Sequence, residues 1–261
     1  MTAGVTRFAM AITRLPCKNA VDGLRAVDQG VPSIDQMLAD HADYCAVLAS
    51  AGANVITLPA LPAFPDAHFV EDTALCLPEG VIFMSPGAPS RFGEIASMRT
   101  DIADLFSETH QIFPPAHIEG GDILITGTEI LVGTSDRTNA AGIAAFTRIV
   151  ANWGYHVRAV NTPPGVLHLK AECSLLDDGV VLSTQRLASS GCFSAYDVIL
   201  TCAGEEAAAN AIRFNDLVIM PAGFPATRMR LEAAGHDVRS VNNSECEKID
   251  GGMSCLSLRL A

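Results

Sequence analysis

The stretch "TALCLPEGVIFMS" (73–85) decides how the chain is built. It reads as an apolar strand, a turn carrying glycine, and a second apolar strand, the pattern of a tight hairpin. The same shape returns as "DILITGTEILVGT" (122–134), "CSLLDDGVVLSTQ" (173–185) and "AIRFNDLVIMPAG" (211–223). Recurrence of one pattern at intervals is the mark of a repeat architecture.

Helical periodicity follows three of these hairpins, over 91–106, 137–154 and 225–235, the last with Gly235 as its C-cap. A short strand then closes each unit, in "QIFPPA", "YHVRAVNTP" and "HDVRSVN". The stretch 186–210 is irregular. A fifth unit is split across the termini. Its helix is predicted over 33–52, its closing strand over 54–61, and its hairpin pairs "SCLSLRL" with "RFAMAITRL" (7–15). Five ββαβ units with the last one split predict a closed, pseudo-fivefold α/β ring, formed by a single domain over 1–261. The alternative is an ordinary α+β domain with coincidental hairpins.

Composition narrows the function classes. The chain has 261 residues, 49% hydrophobic and 18% charged, a globular balance. A net charge of −12 argues against a nucleic-acid partner. No apolar run approaches the roughly 20 residues that cross a bilayer. The start, "MTAGVTRFAM", lacks the pattern of a signal peptide. Eight cysteines without a CxxC pair read as reduced thiols, so a cytoplasmic location is expected.

Polar residues gather at the opening strand of the units, in "FVEDT" (69–73), "HIEGGD" (117–122), "LHLKAE" (167–172) and "GMSC" (252–255). In a ring these openings converge on the centre. Period two puts His117 with Glu119, and His168 with Lys170 and Glu172, on shared strand faces. Each residue alone is better read as structural: Glu71 and Asp72 as a solvated turn, His168 as a strand histidine, Cys255 as a core thiol. A metal site from His117, Glu119 and Asp122 matches no strong ligand spacing. Together the residues supply a thiol, an imidazole and several carboxylates. A thiol needs a nearby base or cation to act at neutral pH. Carboxylates beside it make chemical sense if the substrate is itself cationic. The glycines before Cys255 would let the last strand enter the centre sharply and leave the thiol exposed.

These stretches resemble the dimethylarginine dimethylaminohydrolases of the guanidine-modifying, or pentein, superfamily. The likeness runs the whole chain, through "FVEDTAL", "GAPSRFGE", "EGGDILITG", "GTSDRTN", "GVLHLK" and "SECEKIDGGMSCLSL". The resemblance implies a pentein five-bladed α/β propeller. It implies hydrolysis of N-omega-methylated arginine to citrulline and an alkylamine through a covalent cysteine adduct. Cys255 would be the nucleophile, His168 the proton carrier, and Glu119 the group that organises the histidine and guanidinium. Substrate-binding residues would be Leu24, Asp66, Phe69, Glu71, Asp72, Arg91, Arg137 and Ile249. Among these, Arg91 and Arg137 would meet the substrate carboxylate, and Asp66 with the backbone near Ile249 its α-amino group. Leu24 belongs to a lid over 18–32.

The resemblance implies no cofactor or metal. It implies a small guanidino amino acid as partner, with no nucleic acid or membrane, and leaves a homodimer open. Relatives acting on unmethylated arginine carry "EGGD" too, so a deiminase-like activity is the alternative reaction. A non-catalytic module is disfavoured by the presence of both thiol and imidazole.

Overall fold

A computed structural model describes residues 5–261. Their strands form five three-stranded sheets. In each sheet the first strand runs antiparallel to the second, and the second parallel to the third. The first blade is Ala74–Leu77, Gly80–Phe83 and Thr109–Gln111. The second is Ile123–Ile125, Ile130–Thr134 and Val157–Asn161. The third is Cys173–Asp177, Val180–Ser183 and Asp197–Leu200. The fourth is Ile212–Phe214, Leu217–Pro221 and Asp237–Val241. The closing blade joins the chain ends: Leu258–Leu260 pairs antiparallel with Met10–Arg14, which runs parallel to Asn54–Leu58. The split fifth unit is thus as the sequence pattern predicts.

The middle strands read as continuous apolar runs because both their faces are buried, as in Gly80–Phe83 and Leu217–Pro221. Helices Ile34–Ser50, Glu94–Ile102, Ala140–Ala151 and Pro225–Ala233 connect the second and third strands of four blades. The third blade has only the short Gln185–Ala188, which accounts for the irregular 186–210 stretch.

Ring closure is visible in the core. Buried apolar residues fall into five clusters, and each bridges two neighbouring blades. Ile12 and Leu258 meet Val70 and Phe83; Ile82 and Met84 meet Ile130 and Phe146; Leu131 meets Leu175 and Val181; Leu182 meets Val218 and Met220. The fifth joins Phe214 and Ile219 to Tyr44 and Leu48. The protein is a five-bladed α/β propeller of the pentein type. No helix among the described residues is long and apolar enough to cross a membrane.

One expectation is corrected. The polar openings are not strands but single 3-10 turns that precede the inner strands, at Val70–Thr73, Gly120–Asp122, Leu169–Ala171 and Ser254–Leu256. A 3-10 turn does not alternate faces, so the period-two grouping of His168, Lys170 and Glu172 fails. Likewise neither Arg91 nor Arg137 opens an α-helix. Arg91 ends the 3-10 turn Pro89–Arg91. Arg137 precedes Asn139, whose side chain caps Ala140–Ala151 by accepting from Gly142 N–H.

Tyr44, on the first helix, fastens the last strand. Its buried hydroxyl donates to Met253 O at 3.2 Å and lies 2.8 Å from Ser257 Oγ. Tyr44→Phe should lower unfolding stability by about 1–2 kcal/mol in urea titration, since the acceptors stay buried without their donor. An unchanged midpoint would show that the closure does not lean on this hydroxyl.

Candidate active site

Four turns bring side chains from distant sequence into one pocket. Asp72 comes from the first blade, Glu119 from the second, His168 from the third and Cys255 from the closing blade. They line one pocket together with Leu24, Asp66, Phe69, Arg91, Arg137 and Ile249. Of the catalytic and substrate-binding residues the resemblance implies, Glu71 alone does not line it; His117, Asp122, Lys170 and Glu172 lie outside it too.

The histidine is held by carboxylates. His168 Nε2 lies 2.6 Å from Glu119 Oε2 and 4.0 Å from Asp72 Oδ1. Glu119 Oε1 accepts from Gly87 N–H at 2.8 Å, with Arg137 3.9 Å away. Burial opposes the charged imidazole, yet Asp72, Glu119 and Asp122 together push His168 up to about 9. Burial also opposes the Glu119 carboxylate, but His168, Arg91 and Arg137 outweigh it and hold its pKa below the usual range. The resting pair is therefore imidazolium and carboxylate. Because the folded value of His168 exceeds its ordinary 6.5, the stability it contributes is complete below about pH 6.5 and is lost as pH rises through about 9.

The glycines of 120–121 are required by close approach. A Cβ on Gly121 would sit 2.7 Å from His168 Cγ, and one on Gly120 would sit 1.9 Å from Glu71 O. Gly121 N–H also donates to Asp72 Oδ1 at 2.9 Å.

Cys255 lies in a tight backbone bay. Gly252 N–H points at its Sγ, 3.4 Å away. Asn243 Nδ2 donates to Gly251 O, and Ser254 N–H donates to Asn210 Oδ1. The double glycine is not a hinge. Gly251 makes room for the Phe69 ring and Gly252 for the Asn210 amide, each about 2 Å from a would-be Cβ. The left-handed residue is Asp250, at φ 59°. Burial pushes the Cys255 thiol up to about 12, with Asp72 and Glu71 adding to it and Gly252 N–H and Lys170 opposing. The resting thiol is uncharged and buried, contrary to the expected exposure.

The two arginines differ. Arg91 is buried and its donors are engaged: Asp72 at 2.7 Å, Glu94 through Nε and Nη2, and Phe69 O at 2.8 Å. It orients Asp72 and the Phe69 backbone, and has no fork free for a carboxylate. Arg137 is a fifth exposed and meets only Glu119, at 3.9 Å, so its guanidinium is open to the pocket.

Two hydrogen bonds tie the 18–32 segment down beside the pocket. Leu24 N–H donates to Asp66 Oδ1 at 2.9 Å, and Ala26 N–H to Asp250 Oδ2 at 2.6 Å. The remaining cavity is about 30 Å³, room for roughly one water. Asp250 went unnoticed in the sequence, although Asp-Gly is a dipeptide that favours the left-handed turn. Asn210, Asn243 and Ser254 carried no signal in one dimension.

Glu71 faces away from the pocket. Lys170 and Arg259 both donate to its Oε1, and Ser254 Oγ to its Oε2 at 2.7 Å. It forms a floor beneath Asp72 and Cys255. Asp72, Glu119 and His168 are close enough to share a metal ion. However, Arg91 and the imidazolium already answer both carboxylates, which argues against a resident cation.

Replacing Glu119 by Gln should lower the His168 pKa from about 9, read by NMR titration of the labelled ring. A titration that does not move would remove Glu119 as a source of the shift.

The arginine deiminase family matches residues 64–215. The N(G),N(G)-dimethylarginine dimethylaminohydrolase of Pseudomonas aeruginosa is 36% identical over 97% of this chain and 99% of its own. The Streptomyces coelicolor protein of the same name is 30% identical over 96% of both chains. A crystal structure of the P. aeruginosa protein, a cysteine-to-serine mutant complexed with citrulline, superposes with a TM-score of 0.94 over 97% of this chain and 100% of that one, at 35% identity.

Proposed function

We infer the activity from kinship and geometry together: the chain belongs to the dimethylarginine dimethylaminohydrolase family, and it hydrolyses N-omega-methylated arginine to citrulline and an alkylamine. The observation that carries the reading is the convergence of Cys255, His168, Glu119 and Asp72 on one pocket.

The chemistry follows from the charges. The guanidinium lies against Asp72 and Glu119. Its positive charge offsets the carboxylates that hold the Cys255 proton, so the thiol gives that proton to solvent and the thiolate forms as the substrate arrives. Sγ bonds to the guanidinium carbon. The His168 imidazolium gives its proton to the departing dimethylamine or methylamine as the C–N bond breaks. The neutral imidazole then takes a proton from a water attacking the thiouronium carbon. The C–S bond breaks as the adduct's hydroxyl gives up its proton to Sγ, so citrulline leaves, the thiol is restored and His168 is again an imidazolium. Glu119 holds the imidazole for both transfers.

At the far end Arg137 takes the substrate carboxylate, while Asp66 and the Ile249 backbone take the α-ammonium. Arg91 acts through Asp72. With about 30 Å³ inside, the 18–32 lid must lift for entry and reclose to exclude water. Selectivity for methyl groups rests on Leu24, Phe69 and Leu167 at the walls. The eight free thiols support a cytoplasmic setting. No metal or cofactor enters any step. A homodimer is the assembly carried with this reading, and sedimentation equilibrium tests it.

Citrulline assays on asymmetric dimethylarginine, monomethylarginine and arginine test the reading. Turnover should favour the methylated substrates and fall at least about 10³-fold in Cys255→Ser. Citrulline mainly from plain arginine would move the enzyme to the deiminase reaction. Arg137→Met should raise KM about 10- to 100-fold with a smaller change in kcat, as loss of a charged hydrogen bond implies. For the wild type, kcat/KM should decline as pH rises through about 9, where His168 loses the proton it donates. A rate still climbing above that pH would exclude His168 as the acid.

A further inference from the structure

The two arginines of the pocket are aimed in different ways. Arg91 is set by short bonds of its own side chain. Arg137 has no such bond among the described residues, and its charged contact to Glu119 is 3.9 Å long. A long side chain without a short bond of its own is directed by its backbone. What fixes the Arg137 backbone therefore fixes where its guanidinium can go.

That backbone is gripped twice. Gly87 lies so close that a Cβ there would sit 2.7 Å from Arg137 O and 2.8 Å from its Cα. Arg137 N–H donates to Ser135 Oγ at 3.1 Å, and Thr138 N–H donates to the same oxygen at 3.2 Å. Ser135 Oγ in turn donates to Asp122 Oδ2 at 2.6 Å. A serine hydroxyl offers one donor and two acceptor sites, and all three are used. Ser135 N–H to Thr138 O, at 3.3 Å, closes the turn.

Asp122, the last letter of "HIEGGD", is fully buried. Its second oxygen, Oδ1, accepts from Leu169 N–H at 2.9 Å, one residue beyond His168. It sits in a notch left by Gly133, where a Cβ would stand 2.6 Å from Oδ1 and 2.8 Å from Leu169 Cβ. A buried carboxylate with both oxygens bonded is a fixed post. Neither Asp122 nor Ser135 lines the pocket.

We propose that Ser135 is a positioning residue for the carboxylate end of the substrate. Its hydroxyl carries the fixed position of Asp122 to the Arg137 backbone, so the guanidinium fork faces the pocket before substrate arrives. This rests on the reading of Arg137 as the partner of an α-carboxylate. Without the hydroxyl, two N–H donors and one Asp122 oxygen lose their partner, and the turn shifts with the Arg137 Cα. A displacement of about 1 Å in a positioning group is enough to cost about 10²-fold.

A double-mutant cycle on methylamine release from monomethylarginine tests this. Ser135→Ala should raise KM about tenfold with kcat little changed. Ser135→Thr, which keeps the hydroxyl, should restore most of that loss. In the Arg137→Met background, Ser135→Ala should lower kcat/KM by less than about twofold, since the group it positions is gone. Thermal unfolding of each variant confirms that the ring is intact. An unchanged KM in folded Ser135→Ala, or a loss confined to kcat, overturns the proposal. So does the full loss repeated in the Arg137→Met background, because the hydroxyl would then act on the site by another route. A wild type that releases no methylamine or dimethylamine from any methylated arginine removes the functional reading itself, and the role of Ser135 with it.

Discussion

Three residue pairs, Met10 with Leu260, Ala11 with Arg259 and Ile12 with Leu258, hold the two ends of the chain in one sheet. The rest of the molecule depends on them. They turn an open row of four blades into a ring, so that the core between the fourth and closing blades has a second wall. They also set the chemistry. Ala11 opposite Arg259 fixes the strand that delivers Arg259 to Glu71 and, four residues earlier in the chain, Cys255 to the pocket. A slip of one residue in that ladder would reverse the strand's faces and withdraw both groups.

The site built on this closure holds its charges in balance before any substrate arrives. Arg91 answers Asp72 and Glu94, His168 answers Glu119, and Lys170 with Arg259 answers Glu71. Such a set is rigid because removing one partner strands the other in a low dielectric. On the proposed mechanism, an incoming guanidinium tips the balance at the thiol without having to build the site. The thiol, high in pKa and buried, is inert until then. A nucleophile that ionises only beside its substrate is protected from stray electrophiles.

Much of this was legible in one dimension. The hairpin repeat announced the blades, and the split unit announced the closure, because short apolar runs punctuated by turn residues survive in sequence whatever the chain later packs against. The pocket residues were found by their position at the unit openings and by family likeness. What sequence misjudged was local geometry. His168 and Lys170 were read as neighbours on a strand face, but a 3-10 turn sends one to the pocket and the other to the floor. Arg91 and Arg137 looked equivalent, and only the placement of Glu94 and Phe69 O shows one saturated and the other open. Asn210, Asn243 and Ser254 hold the thiol's loop through contacts of large sequence separation, which no pattern along the chain encodes.

The glycines at 120 and 121 carry a wider consequence. Gly120 presses on the backbone of Glu71 and Gly121 on the ring of His168, with no space for a side chain at either. The tetrapeptide "EGGD" is thus mostly a record of how three turns interlock. On the proposed mechanism only its glutamate bears on proton transfer. A motif of this kind identifies the scaffold with great specificity and says almost nothing of which guanidine is consumed. Sorting members of such a family by reaction requires letters drawn from the walls, such as Leu24, Phe69 and Leu167, where no steric necessity holds the alphabet fixed.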